Sequence, residues 1–228
     1  MRHYQFKKFN LLLLLAIVIT GLSGCATETY QKVAITPVET NKTLYAGIKS
    51  ALVLGNLNNR SNYMQGLFSS NIDRLGNQAK TILKTHLQQT NRFKVVDREN
   101  LGNLQQEAAL LGIKQEIKGA RYVISGGVTE FGRKVIGDKQ LFGILGSGKS
   151  QIAYAKVSLT IIDVVTSEII YTTQGAGEFQ LNERQVVGFG SKAGYDATLN
   201  GKVLDFAIKE SVNNMTRDLE NNTLQFDL

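Results

Sequence analysis

The chain holds a single cysteine, Cys25, placed directly after an apolar run. That placement constrains the fold more than any other feature, because one thiol closes no internal disulfide. Arg2, Lys7 and Lys8 precede the run at residues 11–19, and the small-residue stretch Gly21-Leu22-Ser23-Gly24-Cys25 follows it. This is the layout of a secretory signal. The run is about half the roughly 20 apolar residues that a spanning helix needs, so residues 1–24 read as a removed segment and not as a membrane helix.

Leu22-Ser23-Gly24-Cys25 resembles the bacterial lipobox, in which a leucine and two small residues admit the signal peptidase to a cysteine already acylated on sulfur. The resemblance implies cleavage before Cys25 and covalent lipid on that residue. With Ala26 in place of Asp, it also implies sorting to the outer membrane, with the protein facing the periplasm. Loss of Arg2, Lys7 and Lys8 with the signal leaves 23 basic against 19 acidic residues, a net charge of +4. So mild a charge fits a soft attraction to anionic headgroups or an ordinary solvated surface, and export removes nucleic acid as a partner. The apolar content of 43% is enough for one packed domain with some extension.

Residues 25–48 are polar and weakly periodic, contain the only proline, Pro37, and read as a lipidated N-terminus and tether. Ala51-Leu52-Val53-Leu54 suits a buried strand. A loop follows around Tyr63, Met64, Leu67 and Phe68. Ile72, Leu75, Ala79, Ile82, Leu83 and Leu87 then recur at helical spacing, with Ser70 or Asn71 as N-cap. Phe93-Lys94-Val95-Val96-Asp97 predicts a second strand. Leu101, Leu104, Ala108 and Leu111 predict the buried face of a second helix that Gly112 ends. Tyr122-Val123-Ile124-Ser125 begins a third strand, residues 156–165 alternate in the β manner, and Thr166-Ser167 turns into Ile169-Ile170-Tyr171. Leu204, Ala207, Ile208, Val212, Met215 and Leu219 stripe a final helix, and residues 223–228 form a tail. Early alternation of strands and helices, a late antiparallel pair and a closing helix predict an α+β layer fold over residues 49–222.

Two stretches exceed what a compact core needs. In residues 171–195, one parity carries Tyr171, Thr173, Gly175, Gly177, Phe179 and Leu181, the other is polar, and Asn182-Glu183-Arg184 reads as a tip. Val187, Phe189 and Tyr195 share a face on the way back. Arms of about ten residues with one apolar face suit a tilted membrane strand lining a water-filled barrel. A long hairpin outside any membrane is the alternative, and it leaves an unpaired edge. Residues 129–154 fold similarly, with a tip near Asp138-Lys139 or Gly146-Ser147, but their alternation is poorer because Arg133 and Lys134 are adjacent.

Gly143-Ile144-Leu145-Gly146-Ser147-Gly148-Lys149-Ser150 spells a phosphate-binding loop. The motif works only between a strand and a helix that begins at the Lys-Ser pair. Here alternating residues follow it, so no nucleotide is expected. The mature chain has one histidine, His86, within the first helix. No cluster of His and Cys and no Gly-x-Ser-x-Gly elbow occurs, so neither a metal, a cofactor nor an enzyme activity is expected.

Arg92-Phe93-Lys94-Val95-Val96-Asp97-Arg98-Glu99, Ala120-Arg121-Tyr122-Val123-Ile124-Ser125-Gly126, the stretch from Ala155 through Asp163 to Ile170, and Gly194-Tyr195-Asp196 together resemble the curli secretion lipoproteins of CsgG type and their holdfast-anchoring relatives. The resemblance implies an α/β periplasmic domain, two inserted hairpins, and a homo-oligomeric ring that closes one large transmembrane β-barrel. It also implies a constriction loop after the first strand, for which Tyr63, Phe68 and Asn71 are the candidates. Ile72 stands where an aromatic is expected. A pore or anchor for secreted polypeptide is the expected function, and a poreless periplasmic scaffold or partner of other envelope lipoproteins is the alternative.

Overall fold

The computed structural model describes residues 36–63, 73–139, 147–185 and 198–227, and residues 37–228 form one compact unit. Its strands are β1 (Ser50–Asn59), β2 (Phe93–Val96), β3 (Tyr122–Lys139), β4 (Ser147–Asp163) and β5 (Ile169–Gln185). Its helices are α1 (Arg74–Gln89), α2 (Leu101–Leu110) and α3 (Thr198–Glu220). The strands make one open sheet of order β2-β1-β3-β4-β5. β1 runs parallel to β2 and β3, and the three long strands β3, β4 and β5 pair antiparallel. The fold is α+β.

One face of the sheet is dry. Leu52, Ile124, Val128, Val157, Leu159 and Ile161 are fully buried there, against Leu83 and Leu87 of α1 and Leu204, Ile208 and Met215 of α3. The stripes read from sequence on α1 and α3 therefore face the core, apart from Ile72, which lies outside the described residues. α1 starts later than Ser70 or Asn71 would place it. Asp73 is its N-cap, accepting from the N–H of Gly76 at 2.7 Å and also from the N–H of Asn59 at 2.6 Å. A carboxylate satisfies two orphan donors at once, which fixes the helix entry against the end of β1.

α2 departs from its expected burial. The helix ends as predicted, with Gly112 at φ 67 and its C-terminal carbonyls accepting from the N–H groups of Gly112 and Ile113. Yet Ala108 is its only buried residue, Leu104 and Leu111 are exposed, and Ala108 lies outside the main core. The helix joins β2 to β3 across β1. A right-handed crossover in that direction puts it on the opposite face of the sheet from α1, away from the apolar layer.

Residues 37–48 do not form a free tether. Val38 is 2% exposed and belongs to the core. Buried Arg92 holds the next turn, donating to the Thr43 hydroxyl at 2.6 Å, to the carbonyls of Thr40 and Thr43, and to Glu220 at the end of α3. Its guanidinium also stacks over Tyr45. Replacing Arg92 by Met should remove about 2–3 kcal/mol from urea unfolding, because Glu220 and the carbonyls of Thr40, Thr43 and Thr90 lose their donor together.

Candidate functional site

Above the last β1 pairing, Asn59 with Val128, the strands β3, β4 and β5 continue alone as a three-stranded blade. The described parts of both hairpin regions read from sequence lie in β3, β4 and β5, with one correction. Asn182-Glu183-Arg184 is not a tip. β5 runs through it to Gln185, and the register puts Asn182 opposite Ser150, Glu183 opposite Lys149 and Arg184 opposite Gly148. The partner of β5 is β4, so the arm pairs back into the sheet. Lys149 and Ser150 accordingly sit in a strand, where a phosphate cradle needs a helix N-terminus.

A bulge at Thr129 explains the poor alternation of the other stretch. Even-numbered residues through Val128 face the helices, and beyond the bulge the odd-numbered Phe131 and Arg133 do so. Arg133 and Lys134 then fall on opposite faces. The Arg133 guanidinium donates to the side-chain oxygen of Asn200 in α3 at 2.8 Å, while Lys134 lies over the ring of Tyr154.

The parity assigned to lipid in β5 is the parity that α3 covers. Tyr171 donates its hydroxyl to Asp218 at 2.5 Å, and Phe179 meets Phe206 edge-on with ring centroids 6.0 Å apart. Between them, Gly175 and Gly177 leave room for the backbone of α3. In this fold Tyr171 and Phe179 thus face α3. Leu181 is opposite Gln151, farther up the blade. Val187, Phe189 and Tyr195 lie outside the described residues, as do Phe68, Asn71 and Cys25.

Burial, and then the hydrogen bond to Asp218, push the Tyr171 phenol up to about 12. A phenol that ionises later in the folded state contributes stability in full below pH 10 and loses it as pH rises from 10 toward 12. Discounted for its partial exposure, the fall should be on the order of 1 kcal/mol. Urea titrations of a Tyr171→Phe variant should lack it.

Tyr63 does not project as a free aromatic. Its ring packs edge-on against Phe131 at 4.7 Å, its carbonyl accepts from the Asn59 amide, and its hydroxyl accepts from the Asn200 amide at 2.9 Å. Asn200 therefore joins the foot of the loop after β1 to Arg133 on the blade. Nothing in sequence marked Asn200, since one polar residue in the first turn of a helix has no periodicity to betray it, and Arg133 stood out only for breaking the alternation. His86, buried in α1, reaches Asp205 of α3 at 2.9 Å and Gln89, a tie between helices. Among the described residues, no group of His, Cys, Asp and Glu is placed to hold a metal, and no helix is long and apolar enough to cross a membrane.

Residues 35–228 match the family described as curli production assembly/transport component CsgG. A chain from Neisseria meningitidis serogroup B (strain ATCC BAA-335 / MC58), NMB1126/NMB1164, whose name describes it as a lipoprotein, is 52% identical over 219 residues, 96% of this chain and 98% of its own. Among solved structures, lipoprotein GNA1162 from Neisseria meningitidis aligns with 11% identity and a TM-score of 0.37, covering 75% of this chain and 99% of its own. The PelC dodecamer from Paraburkholderia phytofirmans aligns with 16% identity and a TM-score of 0.35, covering 72% and 87%. Likeness at that level decides neither assembly nor partner. The family match begins a few residues before Val38, where the buried core begins, and runs to the last residue of the chain; the protein is a member of the CsgG family.

Proposed function

We propose that this protein is an outer-membrane lipoprotein, acylated on Cys25, whose blades join edge to edge with those of other copies into a ring that passes or anchors extracellular polypeptide without catalysing a reaction. The observation that carries this reading is the blade itself. Among the described residues, the sheet order gives β5, and the part of β3 beyond Val128, one strand neighbour each, β4. A long strand with an uncovered edge is an aggregation hazard, so a further strand, of this chain or of another copy, is needed there. A head-to-tail contact between successive copies closes into a ring.

Strand direction adds a requirement. β3 and β5 run the same way, since each pairs antiparallel with β4. A barrel that is antiparallel throughout needs an even number of strands per copy. This reading draws the fourth from the returning arm expected from the sequence, with Val187 and Phe189 on one face, which lies outside the described residues.

A second reading has its own observation. α3 covers the face of β5 that a membrane strand would turn to lipid, which suits a poreless periplasmic scaffold. Planar-bilayer conductance of detergent-extracted, lipidated protein, with the mass of the particle, separates the two. The pore reading expects a large ring with stable conductance. A monomer or small oligomer with silent bilayers would replace it with the scaffold.

A further inference from the structure

We propose that residues 99–118 form an arm that packs on a second copy of this chain, its apolar side chains against the neighbour's turn from β4 into β5. The arm leaves the domain just beyond β2 and returns to the same place. Arg98 donates to the carbonyl of Lys118, and Glu99 pairs with Lys80 at 2.7 Å and Lys84 at 3.3 Å, both on α1. The foot of the arm is therefore fastened. Its body is not covered: Ala108 is the one buried residue of α2, while Leu104, Leu110, Leu111, Ile113 and Ile117 are 45–74% exposed.

α2 also lacks the local devices that hold a short helix together. It has 10 residues, and helices shorter than about 12–15 are marginal in water without tertiary packing. Asn100 makes no side-chain cap bond, the first turn holds Gly102 and no acid, and the last turn holds no base. Cover over its apolar face is the stabilisation left to it.

Composition says what kind of surface supplies that cover. From Leu101 to Ile113 the only charged residue is Glu107. A helix lying on a bilayer carries Lys and Arg along its polar face, and this stretch has neither. Exposed leucines with charge depleted around them are instead the composition of the core of a protein interface. The length fits too, since a standard interface takes about 20–30 residues from each partner and residues 99–118 supply about 20.

The far side of the sheet makes that partner a second copy. In the order β2-β1-β3-β4-β5, β2 and β5 stand at opposite ends. Beside β5, Val164 and Val165 of the turn and Ile169, the first residue of the strand, are 54–77% exposed. One subunit thus presents an apolar arm at one end of its sheet and an apolar patch at the other. A single head-to-tail contact covers both, and contacts of that kind close into rings. The inference goes beyond the joining of blades, because the arm assembles the domains whether or not the blades meet lipid.

Sedimentation of the detergent-extracted, lipidated protein tests the contact. An arm variant, Leu111→Glu with Ile113→Glu, and a patch variant, Val165→Glu with Ile169→Glu, should each weaken self-association by at least about tenfold. Their urea midpoints should stay near wild type, because all four side chains are exposed. Mixed together, the two variants should form a one-to-one dimer in place of the wild-type particle, since one intact arm then meets one intact patch. A patch variant that assembles like wild type, a mixture that stays monomeric, or a monomeric wild type would each overturn the proposal. Planar-bilayer conductance keeps this outcome apart from the pore reading. Arm-dependent particles that leave bilayers silent would remove the pore and keep the arm. Conducting rings that both variants form as readily as wild type would keep the pore and remove the arm.

Discussion

Replacing Gly175 by valine is expected to leave too little native protein to measure at 37 °C, with a stability loss of about 3–5 kcal/mol in any background that still folds. An added Cβ there would stand 2.1 Å from the carbonyl oxygen of Ala207 and 2.5 Å from the nitrogen of Ser211. Both are backbone atoms of α3, so no side chain can swing aside, and the helix itself must move. Ala207, Ile208, Val212 and Met215 are fully buried on either side of the contact, so the helix has nowhere to go. Gly177 is the internal comparison. Its nearest neighbour is the ring of Phe206, which is partly exposed and can yield, so Gly177→Ala should cost far less than Gly175→Ala. Gly102 in α2 has no atom within 4 Å of an added Cβ, and Gly102→Ala should raise stability by up to about 1 kcal/mol through the unfolded chain alone. Urea midpoints of the three alanine variants order the sites. A Gly175→Ala variant as stable as wild type would mean that α3 does not lie on β5.

The same glycines show what sequence can and cannot carry. Alternation in β5 correctly told that one face is dry, and it could not tell what dries it. Lipid and a packed helix both select apolar or small residues on alternate positions. The distinguishing signal was the pair Gly175 and Gly177 on the dry face: lipid needs no glycine, whereas a close helix does. Bulges hid the rest. Thr129 in β3 switches which parity faces the core, so any reading that carries one parity through the strand fails at that point. The core stripe of α1 was legible because Leu75, Ala79, Leu83 and Leu87 form one uninterrupted helical face. For α2 the periodicity gave the helix but not its burial, because a pattern fixes which face is apolar and not whether another element covers it. Arg92 was illegible for a different reason. Its partners Thr40, Thr43 and Glu220 lie far away in sequence, and no local rule joins an arginine before a strand to a turn that reads as tether.

Changing Cys25 to Ala should move the protein from the membrane fraction to the soluble fraction after a high-salt wash, provided that mass measurement shows residues 1–24 to be absent. The size of the effect follows from lipid arithmetic. Each buried methylene contributes about 0.8 kcal/mol, one acyl chain holds a protein only marginally, and two hold it stably. Among the described residues, no helix is long and apolar enough to cross a membrane. A net charge of +4 gives an attraction that salt screens within about 10 Å at 0.1 M. The exposed side chains Leu44, Ile48, Leu110, Leu111, Ile113 and Ile117 offer apolar area, yet only one face of a folded protein can press against a bilayer at a time. A cleaved Cys25→Ala chain that stays bound in high salt would therefore place the anchor in protein. The next experiment would then ask which part holds: release on replacing Ile113 and Ile117 with Ser would point to the exposed segment after α2, and persistence would point to blades already inserted in the membrane.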